Sequence, residues 1–250
     1  MPPKIPESHP RYRSLVTREK LVQACEEGLV AWEGLLAHGR GETFDYLLGE
    51  RSVPEAIHAE KAASAHLLMA EKAAISVNGN VAVLAAEGIR RLLEATEAVV
   101  EVNLFHRTEE RVRRIADLLT SAGIRNVLGT HPDASISGLE HDRGLCSKEG
   151  IFGADVVLIP LEDGDRAGAL ARMGKVVISV DLNPLSRTSR EATIAIVDEV
   201  SRALDNMVEF AEELKGRPEA IRGAMVGYEK GRNLTGVLKR IWENLEASQQ

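Results

Sequence analysis

The sequence is poor in cysteine, in aromatic residues and in long apolar runs, and each shortage argues against a class of protein. Its 250 residues include only Cys25 and Cys146, too few for a disulfide framework or a cysteine zinc site. Aromatic residues make up 4% of the chain, which argues against a stacking surface for single-stranded nucleic acid. No apolar run approaches the roughly 18 residues that span a bilayer. Together with the polar, Pro-rich start, these features predict a cytoplasmic protein without a signal peptide.

Positive charge is also in short supply. Acidic residues number 38 and basic residues 31, which gives a formal net charge of -7. We therefore expect no nucleic-acid partner and no membrane partner, because both require a large positive surface. Of the basic residues, however, 22 are Arg and 9 are Lys. The planar guanidinium suits carboxylate and phosphate groups, so the composition still permits a local arginine-lined pocket for a small anion.

From residue 73 onward, short apolar runs alternate with amphipathic helices. Six runs are typical of strands buried on both faces, at 74–77, 99–104, 126–128, 154–159, 176–180 and 193–197. This alternation predicts an α/β fold, a Rossmann-like doubly wound parallel sheet of about six strands with added N- and C-terminal helices. We expect three regions within one integrated domain: a helical region at 1–72, a nucleotide and substrate domain at 73–200, and C-terminal helices at 201–250.

Three helices are predicted before the sheet. Thr17 is the candidate cap of the first helix, and Gly39 is expected to end it. A short second helix covers about 42–48. The third helix begins near Pro54, since proline is favoured in the first helical turn.

Two arginines lie at these predicted helix starts. Arg40 belongs to the segment HGRGE at 38–42, whose flexible backbone and exposed amides suit an anion if the segment separates two helices. A helix C-cap with a solvated arginine is the alternative, and it is favoured for the motif in isolation. Arg18, expected in a first turn, would oppose the helix dipole and therefore hints at a function.

Polar residues follow most of the predicted strands, at the edge where open parallel sheets bind ligands. Those directly after strands are Asn78, Asn80, Arg107, Asp181, Asn183, Arg187, Thr188 and Glu199. A loop of about 20 residues adds Arg143 together with Glu140 and His141, which are candidates for proton transfer. Asp163 lies in an acidic cluster at 162–165 that suits Mg²⁺, with helix capping by Asp165 as the alternative interpretation of that cluster.

Seven strings, in this order, closely resemble the archaeal phosphopantothenate synthetases, also called 4-phosphopantoate–β-alanine ligases. They are SHPRY at 8–12, HGRGE(x)FDYL(x)GE at 38–50, ISVNGN at 75–80, NLF(x)RTEERV at 103–112, GLEH(x)RG at 138–144, ADVVL(x)PLEDGDR at 154–166 and VDLNPLSR at 180–187. The strings are long and irregular, and they cover the chain from about residue 5 to about 200. The C-terminal helices match only in general character.

The resemblance implies a homodimeric enzyme of the archaeal route to coenzyme A. Such an enzyme joins 4-phosphopantoate to β-alanine with ATP, through a phosphopantoyl adenylate, and releases 4'-phosphopantothenate, AMP and pyrophosphate. The resemblance assigns nucleotide contacts to Arg18, Arg40, Asp181, Leu182, Asn183, Arg187, Thr188, Glu199 and Val200. Thr188 replaces a serine and keeps the hydroxyl, whereas Glu199 replaces an asparagine, which favours a backbone contact at that position.

The substrate side is a hypothesis from residue chemistry. We expect Asn78, Asn80, Arg107 and Arg143 to hold phosphopantoate, with Glu140 or His141 near the amine of β-alanine. Arginines and Mg²⁺ would screen the charges of the two polyanions, with Mg²⁺ held mainly by phosphates and Asp163 as its candidate protein ligand.

The sequence also permits two alternatives to a ligase: a nicotinamide-dependent oxidoreductase and a nucleotide-binding protein without ligase activity. The chain has neither a G-x-G-x-x-G loop nor a Walker A loop, which counts against the oxidoreductase. A nucleotide-binding protein without ligase activity would bind ATP but release no AMP.

Overall fold

The computed structural model describes residues 5–248, built around a five-stranded parallel sheet. Its strands are β1 (Ala73–Val77), β2 (Val99–Val102), β3 (Val156–Pro160), β4 (Val176–Val180) and β5 (Ile194–Ile196). They lie in the order β2-β1-β3-β4-β5, and every neighbouring pair is parallel. The predicted α/β class and parallel sheet are confirmed. The order reverses between β1 and β3, which defines the topological switch point.

The sheet has five strands rather than the predicted six. The run at 126–128 contributes a single parallel bridge between Glu101 and Leu128, at the free edge of β2. The backbone is left-handed at Asn126 (φ 57°), the first residue of the run, and at Gly129 (φ 93°), directly after it, so the extended stretch between them is too short for a strand. If Leu128 is counted as a sixth position, the order becomes the 3-2-1-4-5-6 of the Rossmann fold.

The three helices before the sheet have different bounds from those predicted. They are α1 (Tyr12–Glu26), α2 (Trp32–Leu48) and α3 (Pro54–Met69). The predicted start of α3 at Pro54 is confirmed. Helix α1 begins before Thr17, so the capping role of Thr17 is wrong, and Arg18 lies well beyond the first turn.

Helix α2 runs without interruption through Gly39 and Gly41 and ends at Gly49, which has a φ of 90°. The predictions that Gly39 ends a helix and that HGRGE joins two helices are therefore wrong. Helix α2 passes the turn after β4 at Gly41, where a Cβ would be in ordinary van der Waals contact with Leu182, at 3.7 Å. Tertiary contacts along α2 outweigh the poor helix propensity of its glycines.

Helices cover both faces of the sheet. The remaining helices are α4 (Gly79–Thr96), α5 (Glu109–Ser121), α6 (Gly164–Arg172), α7 (Arg187–Glu191), α8 (Val200–Leu214), α9 (Pro218–Gly227) and α10 (Lys230–Ala247). The larger core joins sheet residues such as Ile75 to Leu92 of α4 and Met207 of α8. The opposite face packs Val157 against Leu170 of α6.

The N- and C-terminal helices also contact one another. Val237 of α10 is buried with Leu48 and Val53, and Asn244 Nδ2 donates to Leu47 O at 2.9 Å. These contacts fit the prediction of one integrated domain, which stays a prediction. No helix within residues 5–248 is long and apolar enough to cross a membrane.

The long connection at 130–150 is ordered around one buried carboxylate. It contains the short antiparallel strands Ala134–Ser135 and Leu145–Cys146 and a 3₁₀ turn at Asp142–Gly144. Glu101 of β2 accepts hydrogen bonds from Ser147 N and Ile151 N, each at 2.7 Å. This anchoring holds the 3₁₀ turn, with Arg143, over the carboxyl edge of the sheet.

Candidate functional site

A cavity of about 370 Å³ opens at the carboxyl edge of the sheet, over the switch point between β1 and β3. Its walls are α2, the turns after β1 to β4, and the 3₁₀ turn. This is where an open parallel sheet binds its ligand. Seven of the predicted site residues line the cavity: Arg40, Asn78, Asn80, Arg143, Asp163, Asp181 and Leu182.

The two asparagines after β1 are built into the floor of the cavity. Asn78 Oδ1 caps α4 by accepting from Val81 N at 3.1 Å, and its Nδ2 donates to Leu161 O at 2.9 Å. Leu161 has a left-handed backbone (φ 52°), a strained conformation for a leucine that is typical of functional sites. Asn80 Nδ2 donates to Gly34 O at 3.0 Å and ties α4 to α2.

Arg143 supplies a guanidinium group to the wall of the cavity. It is only 7% exposed, and its guanidinium lies 5.8 Å from the centre of the Phe105 ring. It pairs with Glu162, and its Nε lies 3.4 Å from Asp163 Oδ2. Burial lowers the pKa of Arg143 to about 10, so the side chain is still charged at neutral pH.

A second arginine stands behind the first. Arg166 of α6 is completely buried, and its Nη1 donates to Ser76 Oγ at 3.0 Å and to Glu162 Oε2 at 2.5 Å. Burial lowers the pKa of Arg166 to about 10. Glu162, with a side chain only 2% exposed, is therefore shared by two buried guanidinium groups. From the sequence, Glu162 is predicted only as part of the acidic cluster that suits Mg²⁺, and no role in the site is predicted for Arg166.

The structure brings Arg111 to the cavity rather than Arg107. Arg111 lines the cavity, and it donates from Nε to Leu29 O at 3.1 Å and from Nη1 to His106 O at 3.0 Å. Arg107 lies outside the lining and donates to Gly129 O at 2.6 Å. Thr108 caps α5, and a threonine cap of this kind is a sequence signal that could have identified Arg111, because it places that residue in the first turn of a helix at the carboxyl edge.

The turn after β4 is rigid. Asp181 Oδ1 accepts from Asn183 N at 3.0 Å, and Asn183 Oδ1 accepts from Leu185 N at 2.9 Å. Thr188 is buried, and its hydroxyl donates to Glu162 O at 2.6 Å. Asp181 and Leu182 therefore reach the cavity, while Asn183, Arg187 and Thr188 lie outside its lining.

The other predicted nucleotide residues flank α2. Arg18 binds Glu42 of α2 through Nη2 and Nε, at 2.7 and 3.0 Å, and this hydrogen bonding raises the pKa of Arg18. The Glu199 carboxylate caps α8 by accepting from Ser201 N and Arg202 N. Its side chain is thus occupied by the helix cap, and the backbone contact with a nucleotide stays a prediction. Arg18, Glu199 and Val200 lie outside the cavity lining.

The candidate proton-transfer residues lie beside the cavity. His141 Nε2 is 3.3 Å from Asp165 Oδ2, and its ring lies 5.2 Å from that of Phe105. Glu140 is exposed, and neither Glu140 nor His141 lines the cavity. At the start of α6, Asp163 rather than Asp165 occupies the N-cap position, although its side chain makes no cap hydrogen bond.

The residues fit Mg²⁺ only as a partner of phosphate groups. Within residues 5–248, no group of three or more His, Cys, Asp or Glu side chains is placed to hold a metal ion. The Asp163 carboxylate is half exposed at the cavity and can supply one oxygen ligand. The other ligands would come from phosphates and water, the usual arrangement for Mg²⁺ at nucleotide sites.

The fold and the site define an α/β protein with an arginine-lined pocket at the switch point of a parallel sheet, suited to small anionic metabolites. The family model for phosphopantothenate/pantothenate synthetase matches residues 55–244, and the chain belongs to this family.

Relatives match along nearly the whole chain. The 4-phosphopantoate–β-alanine ligase of Methanosarcina mazei is 53% identical over 243 residues, which cover 97% of this chain and 96% of that relative. The ligase of the same name from Methanospirillum hungatei is 60% identical over 84% of this chain and 86% of its own length. The one from Thermococcus kodakarensis is 52% identical over 96% of this chain and 93% of its own length.

Proposed function

We propose that this chain is an ATP-dependent ligase that joins 4-phosphopantoate to β-alanine and releases 4'-phosphopantothenate, AMP and pyrophosphate, in coenzyme A biosynthesis. Family membership and the relatives at 52–60% identity support the reaction. The observation that carries the proposal in this molecule is the arginine-lined cavity, because both ATP and phosphopantoate are polyanions. The turn after β1 is Asn78-Gly79-Asn80 rather than the G-x-G-x-x-G loop of nicotinamide-binding Rossmann folds, which counts against the oxidoreductase alternative.

We assign the two polyanions to opposite sides of the cavity along the strand order of the sheet. Arg40, Asp181 and Leu182 lie on the side formed by α2 and the turn after β4, and this side is the proposed nucleotide site. Arg143, Asn80 and the neighbouring Arg111 lie on the other side, which is the proposed phosphopantoate site. Fixed positive charge between two anions lowers the cost of bringing a carboxylate to the α-phosphorus.

The other residues predicted to contact the nucleotide do not line the cavity, and we propose that they support or extend the nucleotide site. Arg18 acts through Glu42, on the same helix as Arg40. Thr188 fixes the turn after β3, and Asn183 fixes the turn after β4. For Arg187, Glu199 and Val200 the proposed nucleotide contacts rest on the resemblance in sequence. When bound, Mg²⁺ would screen phosphate charge beside Asp163.

The proposed chemistry has two displacements. The carboxylate of phosphopantoate attacks the α-phosphorus of ATP, and pyrophosphate leaves. The neutral amine of β-alanine then attacks the acyl carbon, AMP leaves, and the amine gives up a proton. His141, oriented by Asp165, is the proposed acceptor of this proton, and Glu140 is the alternative acceptor. Arg107 stays a candidate for the substrate side, although Gly129 O already binds one of its nitrogens.

We also propose that the enzyme is a homodimer. Large apolar side chains are exposed on α2 and on α10, among them Trp32, Leu36 and Trp242. Exposed apolar surface of this kind is typical of subunit interfaces. Light scattering tests the proposal, since a monomer at micromolar concentration would contradict it. The cytoplasmic location stays a prediction, supported by two free buried cysteines.

The decisive experiment incubates the protein with ATP, Mg²⁺, 4-phosphopantoate and β-alanine and assays AMP and 4'-phosphopantothenate. We expect AMP only when both acid and amine are present. ATP binding without AMP release would identify a nucleotide-binding protein instead. Arg40→Gln should raise the KM for ATP, while the control Arg91→Gln, on an exposed pair with Asp205, should not.

A further inference from the structure

The wall of the cavity that carries Arg143 is backed by a second buried arginine. Arg143 lines the cavity, with its Nη1 in contact with Glu162 Oε1 and its Nε 3.4 Å from Asp163 Oδ2. Arg166 lies behind it, and its Nε and Nη2 are buried with no hydrogen-bond partner within residues 5–248. The backbone of Arg143 is held as well, because Asn103 Nδ2 donates to Arg143 O at 3.3 Å.

The two arginines are linked through Glu162. Its Oε2 accepts from Arg166 Nη1, while its Oε1 contacts the Arg143 guanidinium and accepts from Asp163 N at 2.9 Å. Thr188 fixes the same residue from below by donating to Glu162 O. Every contact of the Glu162 carboxylate thus holds it in one orientation, between an arginine in the core and an arginine on the cavity wall.

We infer that Glu162 and Arg166 are positioning residues that aim Arg143 into the cavity and make it selective for a phosphate dianion. The inference deepens the proposed function, on which it rests, by naming what distinguishes phosphopantoate from pantoate. Arg166 holds the Glu162 carboxylate, and that carboxylate holds the Arg143 guanidinium at the cavity. A phosphate dianion accepts charge-assisted hydrogen bonds from a guanidinium fixed in this way, whereas the uncharged hydroxyl of pantoate offers no such partner.

Arg166 does this without reaching the ligand. It is completely buried and is absent from the cavity lining, whereas Arg143 and Glu162 line the cavity. Without Arg166, the Glu162 carboxylate would lose its anchor in the core, and Arg143 would lose the contact that fixes its guanidinium at the cavity. An effect of Arg166 on phosphate binding must therefore pass through Glu162 and Arg143.

The test is a double-mutant cycle. Arg143→Gln, Arg166→Lys and the double variant are compared with the wild type by calorimetric binding of 4-phosphopantoate and of pantoate, and by the KM for ATP. We expect Arg143→Gln to weaken phosphopantoate binding about 100-fold, the cost typical of removing one partner of a buried charge pair. Arg166→Lys should weaken it about tenfold, within the range of coupled neighbours.

In the Arg143→Gln background, Arg166→Lys should change phosphopantoate binding less than twofold. Pantoate binding and the KM for ATP should stay within twofold in all variants. Equal effects of Arg166→Lys in both backgrounds would overturn the inference, and so would a parallel loss of ATP and phosphopantoate binding. The inference also fails if neither variant changes the preference for phosphopantoate over pantoate.

Two precautions keep these outcomes separate. Urea unfolding checks that each variant is folded. If Arg166→Lys is not folded, Glu162→Gln takes its place in the cycle, because glutamine keeps the shape of the side chain while removing the charge that holds both guanidinium groups. Its expected effect is the same tenfold loss, again confined to proteins that contain Arg143. If the wild type binds phosphopantoate but releases no AMP, the proposed ligase reaction fails while the binding cycle still tests the inference.

Discussion

Glu60 makes the stability of the protein depend on pH in a direction opposite to that of an ordinary acid. It lies on α3, completely buried, and its Oε2 accepts from Asn206 Nδ2 at 2.8 Å. Ser52 Oγ accepts from Asn206 Nδ2 at 3.1 Å and also binds the buried Asp198. Burial, followed by the charge of Asp198, raises the pKa of Glu60 from 4.5 to about 9.

The sign and size of the effect follow from proton linkage. Between pH 4.5 and about 9, the folded state keeps a proton on Glu60 that the unfolded state has released. Stability is therefore fully present below this window and is lost as pH rises through it, by about 1.4 kcal/mol per pH unit. Between pH 6 and 8 the loss is about 3 kcal/mol, which is equivalent to roughly 6–12 °C in Tm for a chain of this size.

Glu60→Gln removes this dependence because glutamine is neutral at every pH and keeps an acceptor for Asn206. We measure urea unfolding of both proteins at one protein concentration from pH 6 to 8, since association would shift the apparent stability. The variant should gain about 3 kcal/mol relative to the wild type across this range. Other titrating groups cancel in the difference between the two proteins.

The matched control is Glu87→Gln. Glu87 is exposed, and its hydrogen bond to Arg90 lowers its pKa, so it is ionised in both states between pH 6 and 8. Its stability difference from the wild type should be flat over this range. A difference for Glu60→Gln that is equally flat, within about 1 kcal/mol, would show that Glu60 is ionised in the folded protein and would refute the reasoning.

Three further substitutions test the packing around the site. Gly79→Ala would place a methyl 2.2 Å from Leu29 O, and we expect a loss of about 2 kcal/mol in urea unfolding. Gly39→Ala meets nothing within 4 Å on α2 and should raise the free energy of unfolding by about 0.5–1 kcal/mol in the same assay. Arg202→Gln leaves two carboxylates without their charged partner, and calorimetry should show a stability loss of about 3 kcal/mol.

The sheet could be predicted from the sequence because its strands are buried on both faces. A continuous apolar run predicts each of the five strands. The polar residues that follow the runs lie at the carboxyl ends of these strands, and several of them line the cavity. The prediction of a sixth strand around Leu128 is wrong, because an apolar run carries no information on the backbone angles within it and beside it. The left-handed residues at Asn126 and Gly129, rather than composition, end the extended segment there.

Several residues of the candidate site could not be predicted from the sequence, because tertiary packing determines which side chains are buried and which reach the cavity. The alternation of residue types does not reveal that Arg166 is buried, since arginine is almost never fully buried unless it is paired. The choice between Arg107 and Arg111 depends on where α5 docks, and only Arg111 reaches the cavity. The prediction that Gly39 ends a helix is wrong because helix propensity does not include tertiary contacts, and α2 is held on both sides of this glycine, at Gly34 by Asn80 and at Leu47 by Asn244.

The two glycines that flank Arg40 make the middle of α2 the weakest part of that helix. Each lowers helix stability by roughly 1 kcal/mol relative to alanine, so local opening costs least at 38–41. Amide hydrogens in this turn should exchange with deuterium faster than those nearer Leu48. A ligand that engages Arg40 would close the turn and slow the exchange, so hydrogen exchange at four consecutive amides (38–41) reports occupancy of the cavity without any catalytic turnover.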